Sequence, residues 1–501
     1  MFHFLSLRKN IDSTVAAAAG CFIIFLFTRH NGIGVGPDSV AYFSAAENFH
    51  FHQVLTDFAN HPFVIFPALY PLFLSGLMLL TGLKPLVFAP VVNALLFAMV
   101  IYISGCMMEG FRHPSKWYKR TVLSCIVLSP ALLEVYSMAW SETVFILLVL
   151  LFTLSMHRYF QSYSRRALIA AAVIAALASV TRYAGITVIG MGGILILADM
   201  KMPYRRKLTG LLLYSAISPL LLLINLLRNY FATGTGTGMR ERSDISLAQN
   251  MHYAGSVFNS WLPFLQGHNA GAGWLAFFII AALAFLILKQ YRRFGRLTTY
   301  ENIAAAYSLL YLVFMVVTAS ISRFEEFDSR FFSPVYIFLI WSLSSWLITL
   351  AQRTAHVKRK WVLALGAVIF LSFQYGQLDA DYETFDGVKD AGIPGYTEDG
   401  WRYSPTVQFI EKDTLLFRKG YTVYSNANDA IYFFTGNAGK YLPHKEYKPA
   451  IQKFLNDRHC FMVWFNDGED ADLVDMAFIT HVKKMKLLKQ FDDGAVYEYS
   501  Q

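Results

Sequence analysis

The chain has 501 residues, 55% of them hydrophobic and only 15% charged, with a mean hydropathy of +0.40. That balance excludes a soluble domain of this size, and repeated apolar runs of roughly 20 residues make a polytopic membrane protein whose spans are helices. A net charge of +9 would suggest nucleic acid on a soluble protein, but here the basic residues sit in short loops between the apolar runs, so no nucleic-acid partner is expected.

The first apolar run covers 13–29. Arg8 and Lys9 precede it and no small-residue cleavage site follows, so it reads as a retained span and not a signal peptide. Basic clusters recur at Arg112/Lys116/Lys119/Arg120, Arg158/Arg165/Arg166, Lys201/Arg205/Arg206/Lys207, Lys289/Arg292/Arg293/Arg296 and Arg353/Lys358/Arg359/Lys360. An excess of lysine and arginine marks cytoplasmic loops, which puts all of these on one side together with Arg8/Lys9. Spans are then expected near 13–29, 87–108, 119–136, 141–160, 167–181, 184–200, 208–229, 272–288, 301–320, 331–350 and 361–377, eleven in all. The N-terminus is cytoplasmic on this reading, and residues 30–86 and 378–501 lie outside a cytoplasmic (inner) membrane.

Residues 63–82 are apolar enough to span, yet a crossing there would break the charge parity of the loops around them. Pro67 and Pro71 interrupt the run, and proline removes a backbone donor. Interfacial helices within the outer loop 30–86 are expected; an ordinary span with a compensating error elsewhere is the alternative. Cys21, Cys106, Cys125 and Cys460 form no disulfide or metal pattern.

After Gln377 the composition turns polar. Short β-type runs at 421–425, 460–465 and 494–499 alternate with helical patterns at 448–455 and 471–485, with turns at 391–395 and 466–468. This predicts a soluble α/β domain over 378–501, following a membrane domain over 1–377. Asn426, Asn428 and Asp429 read as a polar loop at a strand end.

The outer face gathers the residues that could carry chemistry. The first outer loop holds Asp38, Tyr42, Glu47, Asp57 and His61. Glu142 opens a span with no basic neighbour in sequence; it is either a site acid or a carboxylate favoured by the helix dipole, with Ser141 as a cap. Arg182 and Arg228 end spans on the side where basic residues are scarce, and Arg240 and Arg330 follow in outer loops. A guanidinium matches phosphate geometry in a bidentate way, although arginines at span ends also snorkel to the interface. The Gly/Thr alternation at 233–238 lacks a Gly-Lys-Ser/Thr continuation, so it is not a phosphate loop of the Walker type; it reads as a flexible loop that orders on substrate.

Several short segments, in order, resemble the membrane glycosyltransferases of the GT-C fold that use polyprenyl-phosphate sugars, among them the lipid A aminoarabinose transferases and the protein O-mannosyltransferases. Asp38-Ser39-Val40-Ala41-Tyr42 is similar to the acidic motif of the first outer loop. His61-Pro62 with Ala68-Leu69-Tyr70-Pro71-Leu72 resembles the proline-rich interfacial helix, and Ser141-Glu142-Thr143 the acid opening a middle span. Thr181-Arg182-Tyr183, Leu227-Arg228-Asn229 and Arg330-Phe331-Phe332-Ser333-Pro334 are similar to further recurrent pieces. The chain departs from the pattern at Ser39, where the mannosyltransferases carry a second acid, and at His61, where the aminoarabinose transferases carry one.

The resemblance implies an α-helical polytopic protein of GT-C type, with about 11 transmembrane helices and a C-terminal extracytoplasmic α/β domain. It implies transfer of a hexosyl or pentosyl group, with inversion, from a polyprenyl-phosphate donor to a glycan, lipid or protein acceptor beside the bilayer. Asp38 would be the general base and Glu142 would shape the site. Arg182, Arg228, Arg240 and Arg330 would bind the donor phosphate, with Tyr42 and His61 contacting substrate. No cofactor is called for, and a divalent metal is left open. A transporter or flippase for a lipid-linked glycan is the competing class, but no two-fold repeat supports it.

Overall fold

A computed structural model describes residues 10–262, 271–353, 356–412, 414–466, 470 and 472–500. Arg8, Lys9, Asp467, Gly468 and Ala471 of the expected elements lie outside these. In chain order the helices are α1 (Ile11–Phe27), α2 (Pro37–His52), α3 (Leu69–Thr81), α4 (Pro85–Met108), α5 (Lys116–Val127), α6 (Pro130–Ser137), α7 (Glu142–Ser162), α8 (Arg165–Thr181), α9 (Ile186–Ala198), α10 (Tyr204–Ile217), α11 (Leu220–Thr233), α12 (Leu247–Trp261), α13 (Ala272–Phe294), α14 (Tyr300–Ile321), α15 (Ser329–Arg353) and α16 (His356–Ala391). A sheet of β1 (Thr422–Ser425), β2 (Lys440–Tyr441), β3 (His459–Phe465), β4 (Lys486–Gln490) and β5 (Gly494–Ser500) follows, with α19 (Asn428–Thr435), α20 (Lys448–Asn456) and α21 (Met476–Val482) between its strands and α17 (Asp399–Arg402) and α18 (Pro405–Lys412) before them.

The molecule is a multi-pass membrane protein. Among the described residues seven helical stretches are long and apolar enough to cross a bilayer, α10 and α11 counting together as one stretch, and an eighth exists if α5 and α6, bent by 50°, are one broken span. Every one of the eleven expected spans has a helix at its place. The count falls short of eleven because α1 and α8 have 17 residues and α9 has 13, below the ~20 that cross the core without help. The bend between α5 and α6 comes at Ser129-Pro130, where the Ser129 hydroxyl accepts from the Leu132 N–H at 3.3 Å and starts a new helix. In the 63–82 run only α3 is helical, and its 13 residues reach about 20 Å, less than the ~30 Å hydrocarbon core. Pro71 sits in its first turn, where the missing N–H has no partner to lose.

The chain divides into two compact units, and the boundary is not at 377/378. The helical unit runs to Phe27 and includes Phe63–Phe73 and Phe88–Gly387; the second comprises Thr28–Pro62, Leu74–Val87 and Val388–Gln501. In the helical unit α7 is central: 83% of its most apolar window is buried, as expected of a helix that is apolar all round. α16 is the opposite case, with 6% of its window buried. It meets the bundle through polar bonds and through Phe385, whose ring lies 5.7 Å from that of Phe27. Gln374 Oε1 accepts from the Ser124 hydroxyl at 3.0 Å, and the Gln377 amide donates to the Tyr336 hydroxyl at 2.5 Å.

In the second unit the strand order is β2-β1-β3-β5-β4. β1 is parallel to β2 and β3, and β5 is antiparallel to β3 and β4. Tyr424, Leu442, Phe454, Cys460, Met462, Leu473, Val474 and Ile479 form a core on this sheet. The first outer loop belongs to the same unit. Val35 C=O accepts from Tyr396 N–H at 2.8 Å, and Ile33 C=O accepts from the Thr397 hydroxyl at 2.9 Å. Asn31 donates to Asp399 at 2.6 Å and Arg402 donates to Asn31 at 2.7 Å. Phe58 stacks on Tyr432 with ring centroids 5.2 Å apart. The helix carrying Asp38 is thereby built into the C-terminal α/β unit.

Candidate active site

Glu142 begins α7 directly after the turn Ser137–Ser141, and it is fully buried. Two guanidiniums close on one of its oxygens. Arg182, the residue that ends α8, has Nη1 2.5 Å from Oε1, and Arg330 in the first turn of α15 has Nε 2.5 Å from the same atom. Ser141 Oγ donates to Oε2 at 3.3 Å and accepts from Arg182 Nη1 at 3.2 Å. Arg330 also lies over the Trp140 ring, 4.3 Å from its centroid. The Tyr311 hydroxyl donates to Phe331 C=O at 3.0 Å and fixes the turn that carries Arg330. A buried carboxylate needs this much compensation. Glu134 and Asp328 also interact electrostatically with Arg330, and the Arg182 and Arg330 side chains remain 16% and 12% exposed.

Tyr183, next to Arg182, links this cluster to a second one. Its hydroxyl donates to Val64 C=O at 2.9 Å and accepts from Asn229 Nδ2 at 3.0 Å. Arg228 donates to Phe63 C=O and to Asn229 Oδ1. Arg240 donates to Ile65 C=O at 2.9 Å. Three successive carbonyls after Pro62 are thus held by donors from three places in the chain. The loop bearing Arg240 comes close because Gly238, at φ +77°, has no side chain; a Cβ there would lie 3.3 Å from Ile65. The Gly/Thr stretch is itself tied down, with Asn229 Nδ2 donating to Gly236 C=O at 2.7 Å and the Thr233 and Thr235 hydroxyls 2.9 Å apart. Further on, Arg323 N–H donates to Glu241 C=O at 3.0 Å and their side chains pair at 3.1 Å.

The remaining expected site residues lie in the second unit. Asp38 occupies the first turn of α2 and is partly exposed; Ser39 Oγ accepts from Gly36 N–H at 3.2 Å and holds that turn. Tyr42 is buried, 2% exposed. The His61 imidazole is exposed, 3.7 Å from Asp57, whose Oδ1 accepts from the Ala59 and His61 N–H groups. Burial pushes the Glu47 carboxyl above its usual range, against the pull of Lys84 at 3.9 Å. Asn426 bonds both backbone groups of Phe465, and Asp429 accepts from the Tyr396 hydroxyl at 2.6 Å, which makes both structural. Burial raises the Asp429 carboxyl against that bond.

The structure thus joins Glu142, Arg182 and Arg330 in one cluster and Arg228 and Arg240 in an adjoining one. Trp140, Tyr183 and Asn229 complete these clusters. A polar residue such as Asn229, fully buried on an apolar helix, is the kind of signal that marks such a role. Among the described residues no group of three or more His, Cys, Asp or Glu is placed to hold a metal ion.

No family model and no curated protein matches the sequence. Solved structures do. ArnT from Cupriavidus metallidurans in the apo state is 12% identical and covers 98% of both chains, with a TM-score of 0.60. The same protein bound to undecaprenyl phosphate is 14% identical over 98% of both chains, with a TM-score of 0.56. The Archaeoglobus fulgidus oligosaccharyltransferase, tethered to an acceptor peptide, is 13% identical over 93% of this chain and 69% of its own, with a TM-score of 0.54. At such identity the likeness is one of fold, and that fold is GT-C, as the short segments of the sequence implied.

Proposed function

We propose that the chain is a glycosyltransferase that moves a sugar from a polyprenyl-phosphate donor to an acceptor hydroxyl on the non-cytoplasmic face of the cytoplasmic membrane. The observation that carries this reading is the convergence of the Arg182 and Arg330 guanidiniums on Glu142, which holds two phosphate-type donors side by side. A polyprenyl phosphate gains negative charge as its bond to the sugar breaks, and preorganised guanidiniums stabilise that change. The fold shared with ArnT, which one structure holds with undecaprenyl phosphate, supports the carrier class. The oligosaccharyltransferase with its acceptor peptide supports an acceptor site in the same architecture; here the acceptor is a glycan, a lipid or a protein.

The roles follow from chemistry. Asp38 takes the proton of the acceptor hydroxyl, whose oxygen bonds the anomeric carbon. The bond from that carbon to the phosphate oxygen breaks, and its electron pair leaves with the polyprenyl phosphate. Attack from the face opposite the leaving group inverts the carbon. Arg182 and Arg330 receive the phosphate, and Glu142 keeps their forks in place. Arg228 and Arg240 set the wall formed by residues 63–65 and offer further donors to the phosphate. The exposed His61 imidazole contacts substrate, and Tyr42, one turn after Asp38 on α2, is the second substrate contact.

The test is turnover. Purified protein is incubated with a series of undecaprenyl-phosphate sugars, and released undecaprenyl phosphate is measured. Asp38→Asn is expected to lower the rate by ~10²–10⁴ while donor binding persists, since a positioned base contributes about that much. Near-normal turnover in folded Asp38→Asn removes Asp38 as the base. No release from any such donor, with or without cell-envelope acceptors, removes the transferase reading.

A further inference from the structure

A second polar recess lies at the other end of the helical unit, among the turn after α4, the end of α13, the start of α14 and the last turns of α15. Its volume is about 480 Å³ including the part open to the outside. Glu301 lines it from the first turn of α14 and is 9% exposed. One carboxylate oxygen accepts from Arg112 N–H at 2.7 Å. The other, Oε2, is buried and has no hydrogen-bond partner among the described residues. An unsatisfied buried charged oxygen is costly, so a donor is expected to visit it.

The lining narrows the donor's chemistry. Ser342, Ser345 and Thr349 donate their hydroxyl hydrogens to carbonyls of α15 itself, at 2.6, 3.0 and 2.9 Å, which leaves their oxygens as acceptors. With Glu301 Oε2 they make a site rich in acceptors, matched by a primary ammonium with three N–H groups. A single carboxylate is thin coordination for Mg²⁺ or Ca²⁺. Arg112 is the cation in the lining, its guanidinium over the Phe294 ring, 4.6 Å from the centroid. Leu286, Ile287 and Trp346 supply an apolar wall, and Phe285 and Leu288 of α13 expose apolar surface alongside it. Indole and arginine at a span end are the usual neighbours of lipid headgroups.

We propose that this recess binds the headgroup of an aminoethyl phospholipid, its ammonium on Glu301 and its phosphate beside Arg112, with the acyl chains along α13. The ligand is distinct from the sugar donor, and the site does not depend on the proposed transfer reaction. A choline headgroup fails the fit because its nitrogen has no N–H to give Glu301.

The experiment is native mass spectrometry of the purified full chain offered equal amounts of phosphatidylethanolamine, phosphatidylcholine and phosphatidylglycerol, with the thermal midpoint measured in each lipid. The ethanolamine lipid is expected to be retained about tenfold over the choline lipid, the ratio for one lost charge-assisted hydrogen bond, and to give the highest midpoint. Glu301→Gln is expected to abolish the preference. Equal retention of the ethanolamine and choline lipids by the wild-type protein overturns the proposal, whatever the variant does. Unchanged selectivity in folded Glu301→Gln overturns it too. If soluble glycerophosphoethanolamine raises the midpoint as much as the lipid, the ligand is a free amine phosphate and the lipid assignment is wrong.

Discussion

Glu142 and Glu301 are two buried carboxylates in the first turns of two membrane helices, and their surroundings differ. Glu142 has a guanidinium from each of two other helices' ends on one oxygen and a serine hydroxyl on the other. Glu301 has one backbone N–H on one oxygen and no partner among the described residues on the other. They belong to opposite ends of the same bundle: α15 supplies Arg330 near the first and Ser345 near the second, 15 residues and about 22 Å apart along one helix. A charge inside a membrane protein persists when it is paired or when it binds something. The first case holds two guanidiniums together; the second leaves a spare acceptor for a cation.

Stability is expected to separate the two carboxylates most. Glu142→Gln removes the carboxylate that both buried guanidiniums bond, so it is expected to destabilise the protein by about 3–5 kcal/mol, the usual consequence of breaking a buried ion pair. Glu301→Gln keeps a carbonyl oxygen for Arg112 N–H, so its cost is expected to stay below about 1.5 kcal/mol. Denaturant titration in detergent, followed by tryptophan fluorescence, measures both. A larger effect at Glu301 would mean that the two sites have been assigned in reverse.

The two arginines on Glu142 differ in what their loss should do. Arg182→Met leaves the Glu142–Arg330 pair in place, so it is expected to cost less stability than Glu142→Gln while removing one of the two guanidiniums. Donor use should then fall by roughly 10–100-fold in kcat/KM, about 1.5–3 kcal/mol for a charged hydrogen bond. Arg330→Lys keeps the charge but gives up the fork and the guanidinium stacking on Trp140, with a loss of about 0.5–2 kcal/mol in the same measurement. An Arg182→Met protein with normal donor use would detach the cluster from the phosphate.

Much of this was legible in the sequence. The apolar helices follow from their length, and β1, β3 and β5 from runs of Val, Tyr, Phe and Trp. β2 is two residues long and β4 is Lys-Leu-Leu-Lys-Gln, exposed throughout; neither has a pattern, and only pairing with a neighbour makes them strands. The unit boundary was not legible, because the place of residues 28–62 is decided by bonds such as Tyr396 N–H to Val35 C=O, more than 350 positions away in sequence. Glu142, Arg182 and Arg330 each stood out as a charge at a span end. Their meeting on one oxygen spans 188 positions and has no local signature. Glu301 looks in sequence like any acid favoured by a helix start. Only the empty volume beside it and its unsatisfied oxygen set it apart.

The smallest expected effect concerns Arg228, which tests whether the adjoining cluster acts on phosphate directly or through the wall it holds. Its guanidinium bonds Phe63 C=O and Asn229 Oδ1, and Tyr183 and Arg240 hold the next two carbonyls. With three donors on one segment, removing one leaves the other two in place. Arg228→Ala is therefore expected to loosen residues 63–65 and weaken donor use by about 1 kcal/mol, near one ordinary hydrogen bond. Arg228→Lys can still reach one carbonyl but not bridge two acceptors, so it should recover part of that loss. If Arg228 instead contacts the phosphate, its removal should match Arg182→Met in size, and its effect should shrink as salt rises, because ions screen an exposed charge contact more than a buried backbone bond. Proteolysis within 61–66 provides the second readout. Faster cleavage in Arg228→Ala, with donor affinity nearly unchanged, assigns the residue to the wall and leaves the phosphate to Arg182 and Arg330.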